Sequence, residues 1–269
     1  MREVPAPAIP ASREEVGRRL QSAAPVAGAR LAEDLRPAVR FAARREPDAA
    51  MDIGATKLGG APDLPHGTRW PTWTPHGTAE PRPMQFLAQV NLADAAAAAP
   101  GPLGLPAEGQ LSFFADFGAD GQSVGGLDLA QEGGSTVLYS PPLAQFVRCS
   151  PRIAPLSSGE LRPMGRWTWP RHLPGGAPIP DADARALDQF DAELEAGLRA
   201  AAPEGWFLIG GHQLGGYGRC RGEWRLLLQL GSDDVLEVVW PGRGTLAWSA
   251  RPDDVVAARW DAGRFELLP

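Results

Sequence analysis

Lysine is almost missing from this chain. Lys57 is the only one, and the other residues among the 26 basic positions are arginines. Cysteine is nearly as scarce, with Cys149 and Cys220 alone. Two thiols make no disulfide framework; they read as free, with a single Cys149–Cys220 bridge as the alternative that geometry must decide. No apolar run approaches the roughly 18 residues that a membrane-crossing helix needs. The N-terminal stretch MREVPAPAIPASREEVGRRL carries no apolar core behind its charges, unlike a secretory signal. Positive charge is short as well: the net charge of −6 excludes a dedicated nucleic-acid binder. These absences point to a soluble cytoplasmic protein whose partners include neither nucleic acid nor membrane.

What is present in excess is glycine (32) and proline (28), in a chain that is 43% hydrophobic. Such a chain buries a core but breaks it into short elements, which argues against a helical bundle. Ser12-Arg13-Glu14-Glu15 is a capping box, in which the Ser12 hydroxyl accepts from the third helical N–H, so a helix is expected over about 13–23. Strands are expected at 37–43, 84–92, 110–117, 135–140, 143–149, 223–230, 235–240, 244–249 and 263–268. A helical turn is expected over Ala95–Ala99. The clearest helix covers 181–201, where Leu187, Phe190, Leu194 and Leu198 make one apolar stripe behind Asp181 and Asp183. Residues 57–83 hold six prolines and read as an ordered loop around Leu58, Leu64, Trp70 and Trp73.

Three features recur in the same order. Leu58-Gly59-Gly60 matches Leu214-Gly215-Gly216. Phe86-Leu87-Ala88-Gln89-Val90 matches Leu226-Leu227-Leu228-Gln229-Leu230. Gly109-Gln110-Leu111-Ser112-Phe113 matches Gly244-Thr245-Leu246-Ala247-Trp248. The expectation is an α+β, strand-dominated unit of two repeated β-rich halves with a few peripheral helices. The halves are expected at about 51–150 and 205–269, joined by 151–204, and residues 1–50 form an extension packing on the core.

Few residues carry chemistry. His66, His76, His172 and His212 have no metal spacing, and no cofactor motif occurs. Asp233-Asp234 and Asp253-Asp254 read as turn and cap residues. Gln89 and Gln229, if buried, must bond something: either the backbone of a neighbouring Gly-rich loop or a ligand. Lys57 and His212 each sit close to a Leu-Gly-Gly, and meet in one groove if the halves pack about a two-fold axis. Trp70 and Trp73 read either as core plugs or as a recognition face, and Trp167 and Trp169, beside Arg166, Arg171 and His172, as a cation–aromatic surface.

Lys57-Leu58-Gly59-Gly60-Ala61-Pro62-Asp63-Leu64-Pro65, Trp70-Pro71, Phe86 to Leu92 and Gly109 to Phe114 together resemble the YwqG-like domain family of bacterial proteins. His212 with Leu214-Gly215-Gly216-Tyr217, Leu227 to Leu230 with Ser232-Asp233-Asp234, then Trp240, Gly242 to Gly244 and Asp253, extend the resemblance over about 50–268. Two departures stand out. Gly218 replaces the family's proline after Gly-Tyr, and Trp240-Pro241-Gly242 lacks the acid of its Trp-Gly-Asp turn. The resemblance implies a strand-rich α+β fold and no established reaction, cofactor or catalytic residue; some relatives' gene neighbourhoods hint at protein binding. The function expected is a non-catalytic binding module, holding a protein segment or small ligand between the halves. Its candidate contacts are Lys57, Gln89, Trp70, Trp73, His212, Tyr217 and Gln229. The alternative is a hydrolase or transferase using Lys57, His212 and a nearby acid.

Overall fold

The computed structural model describes residues 12–75, 77, 79–116, 134–173, 176–199, 207–213 and 224–268. Its centre is a ladder between two strands of ten residues each, β1 (Arg36–Arg45) and β10 (Gly159–Thr168). They pair antiparallel along their whole length, from Arg36 opposite Thr168 to Arg45 opposite Gly159. On one side β10 carries β2 (Lys57–Leu58), β6 (Gln85–Asn91), β7 (Gln110–Ala115) and β8 (Ser135–Ser140). On the other, β1 carries β11 (Phe207–Gly210), β12 (Arg225–Gly231), β13 (Thr245–Ala250) and β14 (Arg264–Leu268). The result is one ten-stranded antiparallel sheet within an α+β fold.

The sheet curls until its two wings touch. Phe113 on β7 meets Trp248 on β13 with ring centroids 5.5 Å apart, and Tyr139 on β8 meets Trp260 at 5.6 Å. The enclosed face is apolar and continuous across both wings: Val39, Phe41, Leu58, Leu87, Val90, Leu111, Phe113, Phe207, Leu228, Leu246 and Trp248 share one core. Alternation along each strand sends the polar set, including Lys57, Gln89, Ser112 and Gln229, to the outer face.

The two wings share details of register. Gln89 lies opposite Lys57 and Ser112; Gln229 lies opposite Leu208 and Ala247. A register shift falls between Phe86 and Ala88 on β6, and between Leu226 and Leu228 on β12. In each wing the shift turns two consecutive residues inward, Leu87-Ala88 and Leu227-Leu228. Both inner short strands end on a glycine pair with positive φ, Gly59-Gly60 and Gly210-Gly211. At Gly60 the conformation is required twice over, since a Cβ would also lie 2.3 Å from the Asp48 carboxylate. The Leu214-Gly215-Gly216 turn lies outside the described residues.

Helices cover part of the outside. α1 (Arg13–Ala23) starts as its capping box requires, with Glu15 N donating to Ser12 Oγ at 3.2 Å. α2 (Gly28–Glu33) is held by α4 (Asp181–Arg199), where the Asp183 carboxylate accepts from the backbone N–H groups of Val26 (3.0 Å) and Ala27 (2.7 Å). Trp169 stacks on Phe190 at 5.4 Å within this satellite core. The Arg166 guanidinium donates to Asp191 at 2.9 Å and Arg171 bonds the same carboxylate, so both arginines flanking the Trp167–Trp169 pair serve to dock α4. α3 (Leu92–Ala98) begins earlier than the alanine run suggests, because Asn91 Oδ1 caps Ala93 N and Asp94 N. Among the described residues no helix is long and apolar enough to cross a membrane.

Three expectations are corrected. Residues 57–83 are not all loop: β2, β3 (Asp63–Pro65), β4 (Thr72–Trp73) and β5 (Arg82–Pro83) lie there, each too short for a period-2 pattern. Residues 235–240 form a turn closed by the Asp233–Val238 bridge, because the Asp233 carboxylate accepts from Leu236 N at 2.8 Å and Glu237 takes φ 55°. Only Phe146–Arg148 of 143–149 is a strand, β9, which pairs with β3. Within the N-terminal fifty residues, Arg36–Arg45 form β1, a central strand of the sheet. A chain starting at residue 51 is therefore expected to show no cooperative thermal transition by circular dichroism. A sharp transition would mean that β1 is dispensable.

Candidate functional site

Three places on this scaffold gather polar groups. The first is built on β2, the loops beside it and β9. Lys57 is fully buried, and its ammonium donates to Asp48 Oδ1 at 2.8 Å and to the Ala61 carbonyl, with Asp63 Oδ2 3.6 Å away. Asp63 is equally buried. Its carboxylate accepts from Arg148 Nε (2.8 Å), Gln89 Nε2 (2.8 Å) and Gly54 N (3.0 Å). Gln89 also donates to the Ala55 carbonyl and accepts from Asp63 N, both at 2.8 Å. Gln110 donates to the Asp63 carbonyl at 2.6 Å, and Arg148 donates to the carbonyls of Asp48, Met51 and Asp52. Two cations and two carboxylates are thus matched one for one and wired to loop backbone. Burial pushes the Asp63 carboxyl up, but Arg148, Gly54 N–H, Lys57 and Gln89 override it and hold it below its ordinary value.

The second place surrounds His212. Its backbone N–H donates to Thr168 Oγ1 at 2.8 Å, and its Nε2 lies 2.7 Å from the Asp34 carbonyl and 3.6 Å from the Asp34 carboxylate. Arg36 Nε donates to that carboxylate at 2.9 Å. Burial raises the Asp34 pKa, yet His212 and Arg36 prevail and bring it down to about 2.

The sheet does not bring Lys57 and His212 together. β2 and β11 are separated by two strands, about 14 Å of sheet. Lys57 is level with Glu160 and hence Arg44, whereas Gly210 is level with Ala38. That offset along β1 is about 20 Å. The residues lie at opposite ends of the sheet, and the groove they were expected to share is not formed.

Of the other candidates, Trp70 is a core plug: its Nε1 donates to the Met84 carbonyl at 2.9 Å and its ring meets Phe114 edge-on at 5.5 Å. Trp73 packs partly buried against the same cluster. Gln229 is buried on β12, and Tyr217 lies outside the described residues. Cys149 is a free thiol, and Cys220 lies outside the described residues.

The third place was not found from the sequence. Where the wings meet, a small pocket opens between the first residues of the two edge strands, Ser135-Thr136-Val137 of β8 and Arg264 of β14. Leu227, Trp248, Ser249, Trp260, Asp261 and Gly263 complete it. The indole N–H groups of Trp248 and Trp260 are both buried and both without a hydrogen-bond partner. Trp248 is wedged between Phe113 and Phe265, whose rings lie 5.5 and 4.6 Å away. The only sequence signal was the count of nine tryptophans, which says nothing about which indoles go unpaired.

Residues 56–267 match the model of a family described as a domain of unknown function, DUF1963. The chain belongs to that family. No curated protein matches it. The DUF1963 match begins just before Lys57 and leaves β1 outside, although β1 supplies half of the central ladder.

Removing one partner from a buried ion network strands the others. Lys57→Met is expected to destabilise this DUF1963 domain by roughly 3–5 kcal/mol in urea unfolding; a change within experimental error would show that the network is not structural. The pH response follows in sign. The depressed carboxyls of Asp63 and Asp34 contribute stability above their unfolded pKa. That stability is lost as pH falls through their folded values, which for Asp34 means from its ordinary 3.8 down to about 2. The urea midpoint is expected to fall across that interval, and Asp34→Asn to make the fall shallower.

Proposed function

We propose that this DUF1963 domain is a non-catalytic binding module, and that its binding groove is the seam between the two wings of the sheet. The seam pocket carries the reading: it lies between the two edge strands and two buried tryptophans, Trp248 and Trp260, line it, while Lys57, Arg148, Asp48 and Asp63 are spent on one another. A protein segment or a small ligand fits such a site, because the edge strands β8 and β14 frame it and, among the described residues, each pairs on one side alone.

The reading includes the origin of the seam. The wings are two copies of one unit, each running short strand, Gly-Gly turn, bulged Gln strand, Gly-initiated aromatic strand and edge strand. The shared bulge position, the paired Gln89 and Gln229, and the glycine pairs support this. In this alignment Gly210-Gly211, rather than Leu214-Gly215-Gly216, is the partner of Gly59-Gly60, and Phe113 and Trp248 are equivalent residues in mutual contact. The resemblance to YwqG-like domains and a cytoplasmic site of action belong to the same reading.

A photo-crosslinking amino acid at Thr136, beside the pocket, is expected to capture a defined species in cells of the source. The same group at Leu143, which is 95% exposed, is expected not to. Equal capture at both positions, or none at Thr136, would remove the seam as the binding groove.

A further inference from the structure

We propose that Arg251 and Arg264, gathered on the indole of Trp224, form a receptor for a phosphate dianion, free or at the end of a monoester. The site adjoins the seam through Arg264 and stands apart from the reading of the seam as a groove.

Strand register places the three residues. Arg225 lies opposite Ala250, so the residues just beyond that pair, Trp224 and Arg251, are neighbours at the end of the β12–β13 ladder. Arg264 opens β14 opposite Ser249. Leu226, Ala247 and Leu268 share one cluster with Ala38 and Leu208, on the opposite face from the enclosed core. Counting by twos along each strand puts Trp224, Ser249, Arg251 and Arg264 on that outer face too. Arg264 reaches across β13 where the intervening residue is the small Ser249, and its guanidinium carbon lies over the Trp224 ring, 4.0 Å from the centroid. That of Arg251 lies over the same ring at 5.4 Å. Trp224 is itself tethered: Arg36 Nη1 donates to its carbonyl at 3.5 Å, and Arg36 Nε to Asp34 at 2.9 Å.

The chain is net negative and matches its arginines to carboxylates: Arg44 to Glu160, Arg82 to Asp116, Arg148 to Asp63, Arg166 to Asp191. Arg251 and Arg264 depart from that habit. Both are exposed. Among the described residues neither guanidinium bonds a carboxylate or a carbonyl. Asp254, three residues after Arg251, is taken by Arg259 at 2.6 Å. The indole attracts both cations through its π-face and accepts none of their in-plane N–H bonds, so each guanidinium keeps its fork of donors. Two like charges drawn to one ring also repel each other. An anion that engages both forks cancels that repulsion and fills the donors. A carboxylate is satisfied by one fork and one charge. A phosphate dianion brings a second charge and three terminal oxygens, enough for two forks.

The test is a nitrogen–proton NMR titration of the full chain at constant ionic strength, following the Nε–H of Arg251 and Arg264 and the indole N–H of Trp224. Arg251→Lys, Arg264→Lys and Trp224→Phe assign the three resonances. The probes are phenyl phosphate, inorganic phosphate and benzoate. Phenyl phosphate is expected to shift all three resonances together and saturably. Benzoate, with the same ring and a single charge, is expected to bind roughly tenfold or more weakly. Arg251→Gln and Arg264→Gln should each lower the phenyl phosphate affinity by a similar factor without moving the thermal unfolding midpoint, because both side chains are exposed. The lysine variants keep the charge, lose the fork and fall in between. Inorganic phosphate binding as tightly as phenyl phosphate marks the free ion as the ligand, and weaker binding marks a monoester. Benzoate binding as tightly as phenyl phosphate overturns the assignment to phosphate. Unchanged affinity in either glutamine variant, or shifts that never saturate, overturns the site. The crosslinking at Thr136 tests the seam alone, so either proposal fails without the other.

Discussion

The antiparallel ladder of β1 with β10 is the constraint on which everything else hangs. It is the longest pairing among the described residues, and each of its strands is the root of one wing. Clamped along this line, the sheet twists and curls until Phe113 and Trp248 meet on the far side. The wings close there through side chains rather than through a backbone ladder. That difference in how the two junctions are made leaves β8 and β14 as the end strands of the sheet among the described residues, with a pocket between them.

Burial of charge is the second organising device. The outer face of β2 and β6 carries Lys57 and Gln89, which alternation would otherwise give to solvent. The chain covers them with a Gly- and Pro-rich loop whose backbone they then hold in place. Asp48, Asp63 and Arg148 come from three separate segments, so one neutral cluster pins three loops to the sheet. Leaving any member alone in that setting is costly, which is why the cluster reads as architecture and not as a reaction centre.

Much of this was legible in the residues. The capping box at Ser12, the stripe of Leu187, Phe190 and Leu194, and the apolar strands around Gln89 and Gln229 are local patterns that the fold respects. Burial of Gln89 with its amide on neighbouring backbone follows from the cost of an unpaired amide. β10 was missed because Pro163 and Gly165 interrupt it. They are tolerated because β2 pairs only with Glu160 and Gly159, and beyond that point the end of α3 flanks the strand: a Cβ on Gly165 would lie 2.1 Å from the Ala98 carbonyl. The expected meeting of Lys57 with His212 failed for a topological reason. Sequence spacing to a Gly-Gly turn does not reveal that two strands intervene, nor that Lys57 and His212 lie toward opposite ends of the sheet. The seam pocket depends on which strands become the two ends of the sheet, and no sequence pattern encodes that.

The burial of Lys57 reaches beyond stability. Because it is the only lysine in the chain and is wholly enclosed, the folded protein presents no lysine side-chain amine to its surroundings. Acylating enzymes, ubiquitin-like conjugation and amine-directed labels find no such target while the sheet is intact. Modification of Lys57 thereby becomes a direct chemical record of how often the loop over β2 opens.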